Sequence, residues 1–281
     1  PPRSTLFPYT TLFRSEAGGF SPCAVVLNND LSGGVPDILQ DLEQSVIPPL
    51  NLGWWRRQKS CHFRHYDDVV NEFAALVDID PWLINPLFDN CSDIDFMQRE
   101  GEDCLAERVE SLLARIRAKY AEYGIEREPF VVVKADSGTY GMGVMTARSV
   151  DEVRNLNRKE RTRMAASKEG LGISRVIVQE GVYTFESIDD AVAEPVVYMI
   201  DRFVVGGFYR VHTQRGIDEN LNHPGSHFVP LAFADACATP NCHLAPDAPP
   251  NRFYAYGVIA RLALLAAARE QAELRNQEST A

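Results

Sequence analysis

The sequence predicts a mixed fold of strands and helices, α+β or α/β in kind, and three patterns carry that expectation. Apolar, β-branched runs at residues 130–134, 144–146 and 176–178 have the length and composition of strands. Ahead of them, Leu105, Val109, Leu112, Ile116 and Tyr120 recur at helical spacing along residues 103–123. Gly138, Gly141 and Gly143 then join the first two strands as a strand–glycine loop–strand hairpin.

Size and composition bound the rest. A chain of 281 residues, 45% hydrophobic and 24% charged, can bury a proper core as one large domain or two small ones. Its formal net charge of −11 argues against a nucleic-acid partner, although an anionic nucleotide could bind where cations gather locally. No apolar run approaches the roughly 20 residues that span a bilayer, so no membrane partner is expected. Six scattered cysteines, Cys23, Cys61, Cys91, Cys104, Cys237 and Cys242, read as reduced cytosolic thiols, which predicts a cytoplasmic protein. Cys237, Cys242 and His243 form only a weak metal signal, because no second ligand pair lies nearby.

Residues 5–15, TLFPYTTLFRS, resemble an in-frame translation of a short-read sequencing adapter. Residues 1–15 are therefore expected to be a non-native leader, with a native N-terminal part missing. Residues 23–28 read as a short strand running into Asn28, Asn29 and Asp30 beside Gly33 and Gly34. Two readings stay open there: ligand contacts at a strand end, or the N-cap of a helix over 36–44. Val69, Val70, Phe73 and Leu76 predict a helix over 66–76, with Lys59 just ahead of it. Residues 81–89, with two prolines, should form a packed loop or short broken helix. Gly124 ends the helix at 103–123.

Residues 149–166 read as polar helix, with Arg158, Lys159, Arg161 and Arg163 on a solvated face. A buried strand over 176–182 follows. Strands at 196–200 and 208–212 are expected to pair through a turn at Gly206 and Gly207. Residues 216–225 should form a polar loop, 227–233 a strand, 256–271 a helix and 276–281 a tail.

The glycine hairpin has chemistry. Glycines let backbone N–H groups close on phosphate oxygens, and Lys134 adds charge beside them. The order excludes a P-loop, whose lysine follows the glycines, and a dinucleotide fingerprint, whose glycines open a helix. It also excludes a protein kinase, where the glycine loop precedes the lysine and an H-R-D segment follows. A lysine strand under a glycine lid fits proteins that hold ATP between two sheets; an ordinary glycine-rich hairpin is the bland alternative.

The segments KADSGTYGMGVMT, VIVQEGVYTFE, AEPVVYMIDRFVVGGFYRVHT, DENLNHPG and PPNRFYAYGV settle that choice. Their order resembles the ATP-grasp superfamily, and their wording resembles its proteobacterial-type glutamate–cysteine ligases over residues 17–270. The resemblance implies two α+β subdomains enclosing an ATP cleft, at about 129–182 and 190–270 within a domain of 59–275. Residues 16–58 would be the remnant of an N-terminal α/β substrate domain, since family members are longer there. It implies ATP and magnesium as cofactors, glutamate and cysteine as small-molecule substrates, and γ-glutamylcysteine as product, formed through an acyl phosphate. The alternatives are another carboxylate–amine ligase such as glutathione synthetase, or an ATP-binding fragment without turnover.

Residue roles follow from the resemblance. Lys59, Lys134, Gly138, Tyr140, Gly141 and Gly143 would hold phosphates, with Arg56 and Arg57 as alternates for Lys59. Gln179, Glu180 and Val182 would form the adenine hinge, Glu180 otherwise being an exposed strand end. Arg210, Arg202 and Lys134 would be catalytic, neutralising charge on the transferred phosphate; for Arg202 a surface ion pair with Asp201 is the dull alternative. His212 reads as a satisfied core histidine. Asn28, Asn29 and Asp30 would touch substrate. The Glu-x-Asn metal motif of many ATP-grasp enzymes does not follow the helix at 256, so Asp201, Glu219, Asn220 and Asn222 are the magnesium candidates, or else an Asx-rich turn.

Overall fold

The computed structural model describes residues 22–138, 143–165, 172–230 and 252–279. The chain divides into two units, Pro1–Arg56 and Arg57–Ala281. In the first, strand β1 (Ala24–Val26) pairs in parallel with β2 (Ser45–Ile47). The helix expected over 36–44 is only a 3-10 turn, Asp37–Leu39. Gln40 is already extended and Asp41 takes a positive φ of 56°, so no second turn can form. Asn29 and Asp30 each accept an N–H from two residues on, Leu31 at 2.7 Å and Ser32 at 3.0 Å. These are Asx turns rather than a helix cap.

The second unit opens with helix α1 (Lys59–Val77), seven residues earlier than its apolar pattern predicts. The extra turns are held from a distance. Asp136 accepts Ser60 N–H at its Oδ1 (2.7 Å) and Lys59 N–H at its backbone oxygen (2.8 Å), satisfying donors that Gln58 leaves open. Asp78, with a positive φ of 55°, closes the other end.

After a 3-10 turn at Pro81–Leu83 comes β3 (Phe88–Cys91), a strand absent from the sequence expectation. Helix α2 (Glu102–Glu122) follows close to its predicted bounds, then β4 (Val131–Ala135) and β5 (Val144–Ala147). Two short helices, α3 (Val150–Arg154) and α4 (Arg158–Ala165), replace the single one expected. Arg158, Lys159 and Arg163 are exposed as anticipated, while Arg161 is half-buried and donates to Leu156 O at 2.7 Å. Strand β6 (Val176–Glu180) completes an antiparallel sheet in the order β3-β6-β4-β5.

Alternation along these strands divides the sheet into two faces. Val131, Val133, Val176 and Val178 pack against Leu105, Val109, Leu112 and Ile116 of α2, forming the largest core. Each such side chain contributes about 1.5–3 kcal/mol by leaving water. The opposite face carries Lys134 and Gln179.

A second antiparallel sheet has the order β10-β9-β8-β7, from β7 (Ser187–Ile188), β8 (Ala191–Ile200), β9 (Phe203–His212) and β10 (His227–Pro230). Its main hairpin turns at Asp201 and Arg202, not at Gly206 and Gly207. Ile200 and Phe203 continue the pairing to the tip, and the two glycines lie inside β9 opposite Tyr198 and Val197. Helix α5 (Arg252–Ser279) runs past the expected end at 271 and through the expected tail at 276. It packs on α1 through Tyr66, Val69, Val70, Leu262 and Ala266. Among the described residues no helix is long and apolar enough to cross a membrane.

Candidate active site

The first turn of α1 sits on the start of the glycine loop. Lys59 Nζ donates to the carbonyl oxygens of Ala135 and Gly138, both at 2.8 Å, and of Ser137 at 3.2 Å. Ser60 Oγ adds a 2.6 Å bond to Asp136 Oδ2. Burial, then the neighbouring Lys134 charge, lowers the Lys59 pKa to about 8, with Asp136 partly opposing the shift. Lys134, on β4, donates to Gln179 Oε1 at 2.6 Å. Its ammonium stands 5.8 Å from the centre of the Phe63 ring, and burial lowers its pKa as well. Two ammonium groups brought together out of water make a site suited to a polyanion.

Gly138 and Gly143 adopt positive φ, 75° and 64°, at the two ends of the loop. At Gly143 a side chain would strain the backbone and would also push Ile173 aside, since a Cβ would lie 2.6 Å from Ile173 Cδ1. Tyr140 and Gly141 fall outside the described residues, as do Cys237, Cys242 and His243.

At the far end of β6 the chain leaves the sheet through Gly181 and Val182. Gly181 N–H still pairs with Phe130 O (2.8 Å), and a Cβ there would sit 2.1 Å from the Phe130 ring. Val182 makes no hydrogen bond to any described residue. Val182 lines a cavity of about 820 Å³ together with Trp82, Ile84, Tyr183, Phe185 and Ile259. Glu180 lines it too, but is not the exposed strand end of the bland reading; only 6% of it is exposed. Both its oxygens are engaged, by Trp82 Nε1 at 3.0 and 3.2 Å and by Leu87 N–H at 2.9 Å. The carboxylate therefore braces the strand end rather than standing open to an adenine. Burial pushes its pKa up.

Residues 11–271 match the family model described as Glutamate-cysteine ligase. The chain belongs to the glutamate–cysteine ligase family. Among solved structures it is similar to a protein of Methylobacillus flagellatus KT that carries the provisional name gamma-glutamylcysteine synthetase. Identity is 68% and the TM-score 0.81, over 91% of this chain and 60% of the other. The chain thus spans 60% of the length of that relative. D-cycloserine synthetase DcsG also matches, at 17% identity and a TM-score of 0.37 over 81% of this chain and 57% of its own, too remote to carry an argument. No curated protein matches the chain.

Within this family member the remaining candidates are dispersed. Arg210, on β9, pairs with Glu194 directly across on β8, while its buried Nε has no partner. Arg202 lies at the hairpin tip, 72% exposed, 3.6 Å from Asp201 and over the Phe203 ring, so the dull reading describes it. The guanidinium of Arg57 is bound to Glu270 at 2.7 and 2.8 Å. His212 is a satisfied buried histidine. Its Nδ1 accepts from Gln214 N–H at 3.1 Å, which leaves the proton on Nε2 facing Pro224 O at 3.3 Å.

Three of the four magnesium candidates, Asp201, Glu219 and Asn220, are engaged otherwise. Glu219 accepts from Gly216 N–H and Arg215, which together hold its pKa below the usual range. Asn220 Oδ1 accepts from Asn222 N–H at 2.9 Å, the Asx turn of the bland reading. Residue types alone did not reveal Asp136, Ser60 and Trp82, which position the lysines and the hinge. Only Asp136 left a trace, as the acid between Lys134 and Gly138.

Proposed function

We propose that this chain acts in the ATP-dependent joining of the glutamate side-chain carboxylate to the amine of cysteine, giving γ-glutamylcysteine, ADP and phosphate. The cleft would be of ATP-grasp type, enclosed by a glycine-loop subdomain at about 129–182 and a second subdomain at about 190–270. The observation that carries this reading is the meeting of Lys59 and Lys134 at the base of the glycine loop, on a strand pair that leads to an open hinge, in a chain of this family.

ATP fits this arrangement. Its triphosphate supplies the phosphoryl group that turns the glutamate carboxylate into an acyl phosphate. Lys59 and Lys134 would spread charge over the phosphate oxygens, with N–H groups of the loop from Gly138 through Tyr140 and Gly141 to Gly143. Gln179 holds Lys134 in place for that task. The unpaired N–H and C=O of Val182 suit an adenine edge, and the cavity beside them suits its ring. Arg210, with a spare buried Nε–H, is the residue we assign to the acyl phosphate. Arg202 would need to swing in from its tip to share that work.

Asn28, Asn29 and Asp30 are candidates for the amino-acid substrates. Magnesium does not fit Asp201, Glu219 and Asn220 as arranged, since their oxygens serve Arg202, Arg215, Gly216 N–H and Asn222 N–H, which leaves Asn222 alone of the four. No step is assigned through it.

The test is ADP release with two substrate pairs. Glutamate plus cysteine should support release, and γ-glutamylcysteine plus glycine should not. Release with only the second pair would make the protein a glutathione synthetase instead.

A further inference from the structure

The crossing of α1 and α5 carries a cluster of donor groups that the ligase reading leaves unused. Cys61 and His65 are four residues apart on α1 and therefore share one face. Glu273 of α5 stands opposite them, and one donor atom from each of the three lies within 4.8 Å of the other two. His65 Nε2 is 2.7 Å from Glu273 Oε2. The plain account of this face is an ion pair, because Arg64 Nη2 also approaches Glu273 Oε2 at 2.7 Å. That pair explains the carboxylate. The three donors, sulfur, imidazole nitrogen and carboxylate oxygen, nonetheless converge on one point.

We propose that Cys61, His65 and Glu273 form a binding site for a transition-metal dication of the zinc type, which clamps α1 to α5. Sulfur, imidazole nitrogen and carboxylate oxygen are the three donors zinc combines, and three protein ligands leave a fourth position for water. Magnesium is disfavoured by the same set, because it selects oxygen alone. Tetrahedral zinc with bonds of about 2.0–2.3 Å separates its donors by about 3.4 Å. His65 and Glu273 therefore need to part by less than an ångström.

Arg64 holds the cation's place in the metal-free chain, 3.5 Å from Cys61 Sγ. Its side chain is 58% exposed, which frees it to swing into water when a metal arrives. Binding replaces the thiol proton with the metal, so one proton is released to solvent. The clamp would fix the helical turn that presents Lys59, two residues before Cys61. The inference stands on this geometry and not on the ligase reading.

Cobalt(II) titration of the full chain tests it, because thiolate ligation gives a near-ultraviolet charge-transfer band and four-coordination gives strong visible bands. We expect both bands to saturate at one cobalt per chain and to vanish on adding zinc. Cys61→Ser should abolish the charge-transfer band, and His65→Gln and Glu273→Gln should each weaken binding at least tenfold. The double variant Cys237→Ser, Cys242→Ser should keep the band. Arg64→Ala should tighten binding by up to about fivefold, the worth of an exposed ion pair. Zinc should also raise the melting temperature of the parent chain and not that of Cys61→Ser. A band that persists in Cys61→Ser, a band lost only in the Cys237, Cys242 variant, or no band at equimolar cobalt would each overturn the site.

Discussion

Lys59 carries a consequence that can be read in solution. Burial and the Lys134 charge hold its pKa at about 8. A bound triphosphate supplies opposite charge and moves that pKa back toward the ordinary 10.5. Between those two values the complex holds a proton that the free chain lacks. ATP binding should therefore take up a proton above pH 8, and affinity should fall as pH rises through that window. Binding heats measured in buffers of different ionisation enthalpy would show the uptake, and Lys59→Met should remove it. Gly181 gives a second test at the same scale. A Cβ placed 2.1 Å from Phe130 forces that ring or the strand to move, so Gly181→Ala should cost about 1–3 kcal/mol in urea unfolding.

At the scale of elements, the joint between α1 and α5 holds a buried charge. Glu270 is 1% exposed, and burial alone would raise its carboxyl pKa; hydrogen bonds from His62 and Arg57 override this and hold it at about 2. A folded pKa below the ordinary 4.5 contributes stability above that value, and the contribution drains away as pH falls toward 2. Glu270→Gln should therefore flatten the loss of stability between neutral pH and about pH 3. Glu270→Ala, which removes the buried carboxylate that Arg57 and His62 hold, should cost about 3–5 kcal/mol at neutral pH. Thermal melts across pH would check both.

The same joint shows what sequence patterns could and could not reveal. Helix α2 was legible nearly to the residue, because its buried stripe and terminal Gly124 are local signals. The start of α1 was not, because its cap is Asp136, 76 residues away along the chain. The hairpin turn at Asp201 was hidden for a related reason. Two adjacent glycines are a stronger local turn signal than Asp-Arg, yet cross-strand pairing of Ile200 with Phe203 decided the matter. Strand β3 stayed unseen because half of FDNC is polar; its partner β6 makes it a strand.

For the whole molecule, a net charge of −11 means that the fold must gather cations to hold an anionic nucleotide. Lys59 and Lys134 are 75 positions apart in the sequence, and the antiparallel sheet and the docked end of α1 bring them to one place. The lysine strand was legible because it is a contiguous β-branched run. The acceptor side was not, because Arg210 and the oxygen-bearing loop depend on pairings such as Arg210 with Glu194 that no spacing encodes. The most direct test is calorimetric titration with ATP of the parent chain, Lys59→Met and Lys134→Met. Loss of a charge-assisted phosphate contact should weaken binding about ten- to a hundredfold in each variant. Unchanged affinity in Lys134→Met, in a protein that remains folded, would contradict a nucleotide site beneath the glycine loop.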